Sequence, residues 1–364
     1  MTNLDIAQQR LHNHLITRQT LRKPEDVVRW LGAVQAQDYG AAKWALGLRM
    51  QNSTDDIIEQ AFADGTILRT HVMRPTWHFV APADIRWMLA LTAPRVQAAI
   101  AYYDRTLGLD DAALTKSNVV LAKALQGGKQ LTRAELVPLL QQAGIATGNL
   151  QRIGHIIMHA ELDGIICSGA RRGKQFTYAL LDERAPQART LDHDEALAEF
   201  ARRYFTSHGP ATLQDFVWWS GLSTADARTG LEMVKPQLMQ EAVDGQAYWF
   251  SMSTYPTKDI SQSAFLLPNF DEYIVGYTDR SAIFDASHIQ KLDARGNVLF
   301  NHTIVLDGRV VGTWKRTLKK DAVILTPTLF TPLNKAESRA FAASAHRYGE
   351  FLGLSVNLDH QIDE

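Results

Sequence analysis

Between residues 132 and 180, two helical patterns are followed directly by a hairpin pattern. Thr132 and Glu135 have the spacing of a capping box, in which a hydroxyl and a carboxylate satisfy exposed N–H groups at the start of a helix. A second helix is predicted from Leu150 to Leu162, where Asp-Gly follows and ends it. Two β-rich segments, 165–168 and 175–180, then flank a basic tip that contains glycine, which predicts a hairpin.

The same order recurs on both sides of this stretch. A helical pattern ends near Ser207, capping residues begin further helices at Thr212 and Ser223, and Asp244-Gly245 is a tight hairpin turn. Nearer the N-terminus, residues 24–31 and 53–64 read as helices and 66–74 as β-rich. Helix, turn, helix and hairpin is the order of a winged helix, whose second helix enters the major groove of DNA. Three diverged copies predict an extended surface that suits a long polymer such as DNA.

After about Ser261 the pattern becomes β-rich. Asp307-Gly308 predicts a hairpin between segments 298–306 and 309–314, another strand follows at 323–330, and a helix at 335–351 precedes a last strand. We therefore predict a helix-rich α+β chain of tandem winged-helix (helix-turn-helix) units followed by a small β-rich C-terminal domain. The predicted bounds are 1–115 for the first unit with additional helices, 116–188, 189–260, and 261–364 for the C-terminal domain.

Composition leaves the partner open. The formal net charge of −1 over 364 residues lacks the basic excess of most nucleic-acid binders, although residues 171–174 and 315–320 are locally basic. The single cysteine, Cys167, excludes a disulfide framework and a cysteine-based zinc site, and it fits a reducing compartment. The first residues have no apolar core of a signal peptide, and no apolar run approaches the roughly 20 residues of a bilayer span. We expect a cytoplasmic monomer without a cofactor and without membrane contact.

Three segments resemble those of one bacterial family, and they occur in that family's order: 34–39 (VQAQDY), 69–80 (RTHVMRPTWHFV) and 266–277 (LLPNFDEYIVGY). This is the winged-helix DNA-binding family that includes glycosylases which unhook interstrand crosslinks and excise alkylated purines. The resemblance extends from about residue 5 to 355. It implies that the chain binds double-stranded, damaged DNA and cleaves the bond between a base and its sugar.

The resemblance also implies an active site. Family enzymes have a glutamine–apolar–glutamine motif, or a variant that ends in aspartate, and Gln35-Ala36-Gln37 is similar to the glutamine-ending branch, which is associated with resistance to a DNA-crosslinking natural product. A purine alkylated at N7 or N3 carries a positive charge and leaves readily, so the enzyme needs only a positioned water and a stabilised sugar cation. Two amides can hold a water as donor and acceptor, and Asp38 could add negative charge. On residue types alone, the two glutamines would be solvated residues at a helix end.

Candidate DNA contacts lie in the second segment. Arg69 and Arg74 offer bidentate forks for phosphate, with a salt-bridged strand surface as the alternative. Strand alternation places Arg69 and His71 on one face. Three roles are open for His78: it contacts DNA, it orients a motif glutamine, or it is a structural histidine. Neither histidine has the spacing of a helical zinc motif, so we expect no metal.

The basic hairpin tip provides three further candidate phosphate contacts, Arg171, Arg172 and Lys174, although such tips are often merely solvated. Asp271 and Glu272 are adjacent carboxylates that we interpret as mainly structural, joining domains.

Three functions remain open. A base-excision enzyme is the leading interpretation. A non-catalytic DNA-binding regulator is the alternative, and three unlike units argue against it because operator binders commonly have two-fold symmetry. A protein-interaction scaffold is the third.

Overall fold

The first stretch of the chain packs helices around a three-stranded antiparallel sheet with strand order β1-β3-β2. The structure is a computed structural model that describes residues 1–252, 263–292 and 297–359, so the predicted domain boundary at 261 lies outside the described residues. The elements of this stretch are α1 (Asn3–Asn13), α2 (Pro24–Leu31), β1 (Ala33–Gln35), α3 (Tyr39–Leu48), α4 (Asp55–Asp64), β2 (Leu68–Val72) and β3 (Arg74–Val80).

The second stretch repeats this order after a long connecting helix. Its sheet has the order β4-β6-β5, which again places the third strand in the middle. Its elements are α5 (Ile85–Thr106), α6 (Asp111–Leu125), β4 (Leu131–Thr132), α7 (Arg133–Gln142), α8 (Leu150–Leu162), β5 (Ile166–Ser168), β6 (Thr177–Leu180) and α9 (Leu181–Arg184). The predicted capping box is present, since the Glu135 N–H donates to Thr132 Oγ1 and the Thr132 N–H donates to the Glu135 carboxylate.

A third stretch has the same order with a two-stranded hairpin. Its elements are α10 (His193–Ser207), α11 (Leu213–Ser220), α12 (Thr224–Val234), β7 (Leu238–Val243) and β8 (Gln246–Ser251). Asp244 and Gly245 have φ values of +50° and +78°, as a two-residue hairpin turn requires. The predicted order of helix, helix and hairpin is therefore present in all three stretches, which we call the first, second and third units.

The C-terminal domain is a five-stranded sheet of order β13-β12-β11-β10-β9, antiparallel except for the last pair, β12 with β13. Its elements are β9 (Ala264–Leu267), α13 (Glu272–Val275), β10 (Thr303–Leu306), β11 (Arg309–Leu318), β12 (Ala322–Leu329), α14 (Lys335–Leu352) and β13 (Ser355–Leu358). The strand predicted from residue 298 is wrong in its first part. Val298–Phe300 form a 3-10 turn because the Asn297 side chain accepts the Leu299 N–H at 3.0 Å.

The C-terminal domain shares one hydrophobic core with the first unit. Trp44 of α3 lies against Tyr348 and Phe351 of α14 with ring centroids 5.0 Å apart, and its Nε1 donates to the Leu266 carbonyl at 2.7 Å. The second unit has a core of its own, and the third unit packs against β2, β3 and α5. The C-terminal domain thus packs against the first unit. In the described part of the chain, no helix combines the length and apolar character needed to cross a bilayer.

Candidate functional site

The glutamine motif lies at the end of a short strand. Gln35 is the last residue of β1 and pairs with His78 of β3, and the Ala36 N–H then donates to the Trp77 carbonyl at 2.7 Å. The helix-end interpretation is therefore wrong for Gln35, which is a buried strand residue, whereas Gln37 is exposed in a bend directly before Asp38, the N-cap of α3.

Gln35 is held mainly through its backbone. Its N–H donates to Glu272 Oε1 at 2.7 Å, and its side chain is only 8% exposed. Its Oε1 is buried and has no hydrogen-bond partner among the described residues. A buried acceptor without a partner costs free energy, so this oxygen is a place where a water molecule or a substrate group would be stabilised.

Gln37 is exposed and lines a cleft of about 700 Å³. Its Oε1 accepts the Trp77 N–H at 3.4 Å, a long contact that leaves the amide free to rearrange. The cleft has walls from three parts of the chain: the first unit, the hairpin of the second unit and the C-terminal domain. Its lining includes Tyr39, Lys43, Asp55, Arg171, Phe176, Arg316, Leu318 and Phe351.

An ion network joins two of these walls. Lys43 donates to Asp55 at 2.6 Å and to Glu59 at 2.9 Å, while Arg171 of the second unit's hairpin reaches Glu59 at 3.3 Å. Although burial alone would raise the pKa of Glu59, the hydrogen bond and charge of Lys43, with the charge of Arg171, hold it below its ordinary value. Glu59 is therefore ionised at neutral pH and fixes the hairpin against the first unit.

Arg69 lies beneath the motif. Its Nε donates to the Ala36 carbonyl at 3.0 Å, and its guanidinium lies 4.3 Å from the Trp77 ring centroid and 4.5 Å from that of Phe176. The residue is 6% exposed, which leaves its guanidinium little surface from which to reach a phosphate. The His71 ring also contacts Trp77, with centroids 4.3 Å apart and a tilt of 43°, so the predicted common face of Arg69 and His71 is confirmed.

Arg74, which is half-buried, and His78, which is buried, form a second pair. His78 has no exposed surface; its Nδ1–H donates to the Thr76 carbonyl at 2.9 Å, and its Nε2 accepts from Arg74 at 3.4 Å. Burial, with the nearby charge of Arg74, lowers the pKa of His78 to about 3, so the ring is neutral. Arg74 donates to the Trp219 carbonyl at 2.8 Å. The structural interpretation of His78 fits this geometry better than a direct DNA contact does.

The tip of the second unit's hairpin is a tight turn, as predicted, because Arg172 and Gln175 exchange backbone hydrogen bonds of 3.0 and 3.1 Å. Residues 172–174 are exposed, but Gly169 is buried and Arg171 is half-buried, so the exposed part is shorter than we expected. Arg172 donates to Glu135 at 2.8 Å. Lys174 is exposed, and no ion pair involving it is found in the described part of the chain.

Glu272 and Glu161 take part in this site in ways that the sequence did not indicate. Glu272 is fully buried and joins Gln35 to the Trp219 indole N–H, which it accepts at 2.9 Å. Glu161 of α8 is hydrogen-bonded to His71 Nδ1.

Among the described residues, no three histidine, cysteine or acidic side chains are grouped as a metal site requires.

Comparisons with known proteins point to one family and one fold. A model of the family described as AlkZ-like DNA glycosylase matches residues 28–351, a range that includes all three motifs. An interstrand DNA cross-link repair glycosylase of Streptomyces sahachiroi is 24% identical over 332 residues, which cover 87% of this chain and 88% of that protein. The solved structure of the DNA glycosylase AlkZ from Streptomyces sahachiroi superposes with a TM-score of 0.81 at 23% identity, covering 98% of this chain and 99% of that one. The superposition shows a shared fold.

Proposed function

Because the chain belongs to the AlkZ-like DNA glycosylase family, we propose that it hydrolyses the N-glycosidic bond of alkylated or crosslinked purines in double-stranded DNA. Family membership confirms the predicted enzyme class, a DNA glycosylase. The relative whose name refers to interstrand cross-link repair supports crosslinked purines as one substrate class.

The three units are winged helices that hold the duplex. This assignment is supported by the shared order of helix, helix and hairpin and, in the first two units, by a sheet with its third strand in the middle. In each unit the second helix of the pair, α4, α8 or α12, would face a groove. Positive charge for phosphate contacts is available on exposed lysines of the C-terminal domain and of the second unit's tip: Lys174, Lys315, Lys319 and Lys320.

Gln35 and Gln37 would position the water that attacks the sugar. The observation that carries this assignment is the buried Gln35 Oε1 without a partner, two residues from an exposed Gln37 at the cleft. A water that donates to Gln35 and exchanges hydrogen bonds with Gln37 would satisfy the buried acceptor and face the cleft. Asp38, which lines the same cleft, would stabilise the sugar cation that develops as the base leaves.

Cationic lesions fit this site because the motif itself contains no carboxylate. An N7- or N3-alkylpurine needs no proton from the enzyme to leave, so a positioned water and a nearby negative charge suffice. An unmodified purine is a poor leaving group and would need a general acid.

The test is incubation of the protein with duplexes that carry single N7- or N3-alkylpurines or an interstrand crosslink. We expect release of the modified base and an abasic site, measured by chromatography and strand cleavage, and no release from undamaged duplex. Salt-dependent duplex binding without release from any lesion would instead support a non-catalytic regulator. Absence of salt-dependent binding would support a protein-interaction scaffold.

A further inference from the structure

We propose that Arg69 is a positioning residue that holds the Gln35–Gln37 segment against the cleft wall. Its predicted consequence for base excision rests on the proposed function, whereas its role in ordering the segment does not. The sequence alone suggested a phosphate contact for this arginine. The observed contacts instead direct the guanidinium towards the protein interior and towards the middle residue of the motif.

Ala36 has its two backbone polar groups fixed from different directions. Its N–H donates to the Trp77 carbonyl at 2.7 Å, one residue beyond the pairing of β1 with β3. Its carbonyl lies beyond the end of the strand and accepts from Arg69 Nε at 3.0 Å. Because the Ala36 carbonyl belongs to the peptide that leads to Gln37, the arginine limits rotation of that peptide, while the Ala36 N–H fixes the peptide that follows Gln35.

The guanidinium is itself held between two rings. Trp77 on one side contacts Gln37 through its backbone N–H, and Phe176 on the other side lines the cleft. A planar, delocalised cation stacks on such rings, which a lysine ammonium does not do in the same way. Burial lowers the pKa of Arg69 to about 10, which still leaves the side chain charged at neutral pH.

Arg69 also connects the motif to the second unit. Its backbone N–H donates to Ser168 Oγ of β5 at 2.8 Å, and Phe176 belongs to that unit's hairpin. The placement of the glutamines in the first unit therefore depends on the second unit being docked. A substitution at Arg69 should loosen the motif without removing any group that contacts the substrate.

The test compares Arg69→Met with Arg69→Lys, and uses Arg184→Met as a matched control. Arg184 also joins the second unit to the first, since it donates to the Phe62 and Ala63 carbonyls at 2.9 and 2.7 Å, and neither of these carbonyls belongs to the motif. Hydrogen exchange of residues 33–38, followed by mass spectrometry, measures order in the motif without any substrate. We expect faster exchange there in Arg69→Met, an intermediate rate in Arg69→Lys, and the wild-type rate in Arg184→Met.

Excision gives the second readout. At saturating protein, the single-turnover rate on an N7-alkylguanine duplex should fall about ten- to a hundredfold in Arg69→Met, because small misplacements of catalytic groups have effects of this size. Duplex affinity and its salt dependence should remain at wild-type values, and lysine should restore part of the rate.

Two results would overturn the proposal: wild-type exchange of residues 33–38 in the folded Arg69→Met protein, or equal acceleration in Arg184→Met. Wild-type exchange together with a reduced salt slope would indicate a phosphate contact instead. If Arg69→Met does not fold, the Arg69→Lys protein decides by the same exchange measurement. If the wild-type protein releases no base from any lesion, the proposed function fails while the exchange comparison still decides the role of Arg69.

Discussion

Arg49 and Asp271 form a bidentate ion pair in which both side chains are fully buried, with N–O distances of 2.8 and 2.7 Å. Arg49 follows α3 of the first unit, and Asp271 precedes α13 of the C-terminal domain. Asp271 Oδ1 also accepts the Tyr273 N–H at 2.9 Å. The pair therefore fastens the C-terminal domain, including the adjacent Glu272, to the unit that carries the glutamine motif, as the structural interpretation of these carboxylates predicted.

Asp271→Asn should lower the free energy of unfolding by about 3–5 kcal/mol, because it leaves the Arg49 charge buried without a counter-charge. The double variant Arg49→Met with Asp271→Leu should lose less than Asp271→Asn alone, since it removes both charges and keeps apolar volume. Urea denaturation measures both effects.

The pair Asp26–Arg29 provides the control for this prediction. Its side chains are 37% and 54% exposed, so Asp26→Asn should cost less than about 1 kcal/mol. If Asp271→Asn were as mild as Asp26→Asn, the buried pair would not be what joins the C-terminal domain to the first unit.

Lys174→Ala should weaken binding to all duplexes and reduce the slope of log affinity against log salt by about 0.9, the effect of losing one phosphate contact. Arg172→Ala should have a smaller effect because Arg172 is engaged with Glu135 at 2.8 Å. Filter binding or fluorescence anisotropy across several salt concentrations measures the slope. Lys123→Ala, an exposed lysine on α6 of the same unit, is the charge-matched control. Equal slopes for Lys174→Ala and wild type would show that this tip does not contact DNA.

His302 should make the protein less stable in mild acid. Burial, with the charge of Arg316, lowers the pKa of His302 to about 4, whereas an unfolded histidine titrates near 6.5. Between these values the unfolded chain takes up a proton that the native protein does not, so the free energy of unfolding decreases as the pH falls from 6.5 to 4. One such group contributes up to about 1.4 kcal/mol per pH unit in this range.

His302→Asn should make this decrease less steep, as measured by urea denaturation at a series of pH values. The substitution is chosen because Asn Oδ1 can replace His302 Nδ1, which accepts the Asn269 N–H at 2.9 Å. His193→Asn, at a side chain that is 63% exposed, controls for the removal of a histidine. An identical pH dependence in wild type and His302→Asn would contradict the assignment.

Local signals in the sequence predicted most of the fold. The capping box of Thr132 and Glu135 and the turn at Asp244-Gly245 are satisfied within four residues, so they do not depend on the rest of the chain. Strand β1 has only three residues and exists through its pairing with β3, which is why Gln35 could not be assigned to a strand from its own neighbours.

The candidate site depends on distant contacts, and this is where the sequence is least informative. Gln35 and Glu272 are 237 positions apart, and the burial of Arg69 needs Phe176 from another unit. The resemblance indicated Gln35 and Gln37 because a family motif carries residue identity. It did not indicate that Arg69 and His78 lie in the interior, because burial is a property of the packed units.

Gln35→Ala and Gln37→Ala should each slow excision of an N7-alkylguanine while duplex affinity and thermal stability remain close to wild type. A group that positions water acts mainly in the transition state, so its loss lowers the chemical rate rather than ground-state binding. By analogy with other positioned hydrogen-bonding groups, each loss should cost about ten- to a thousandfold in single-turnover rate. The effect should be smaller for lesions that depurinate readily, because their sugar–base bond needs less assistance.

The two residues should also differ. Gln35→Ala removes a buried acceptor that has no partner among the described residues. The protein should therefore lose less stability than it would if a buried, hydrogen-bonded amide were removed. Gln37→Ala removes an exposed side chain whose hydrogen bond to Trp77 is long, at 3.4 Å, so its melting temperature should stay at the wild-type value. Lys123→Ala again serves as a control for surface substitution. Wild-type excision rates in both glutamine variants, with the wild-type enzyme active, would remove the pair from the mechanism and direct attention to Asp38 on the same cleft wall.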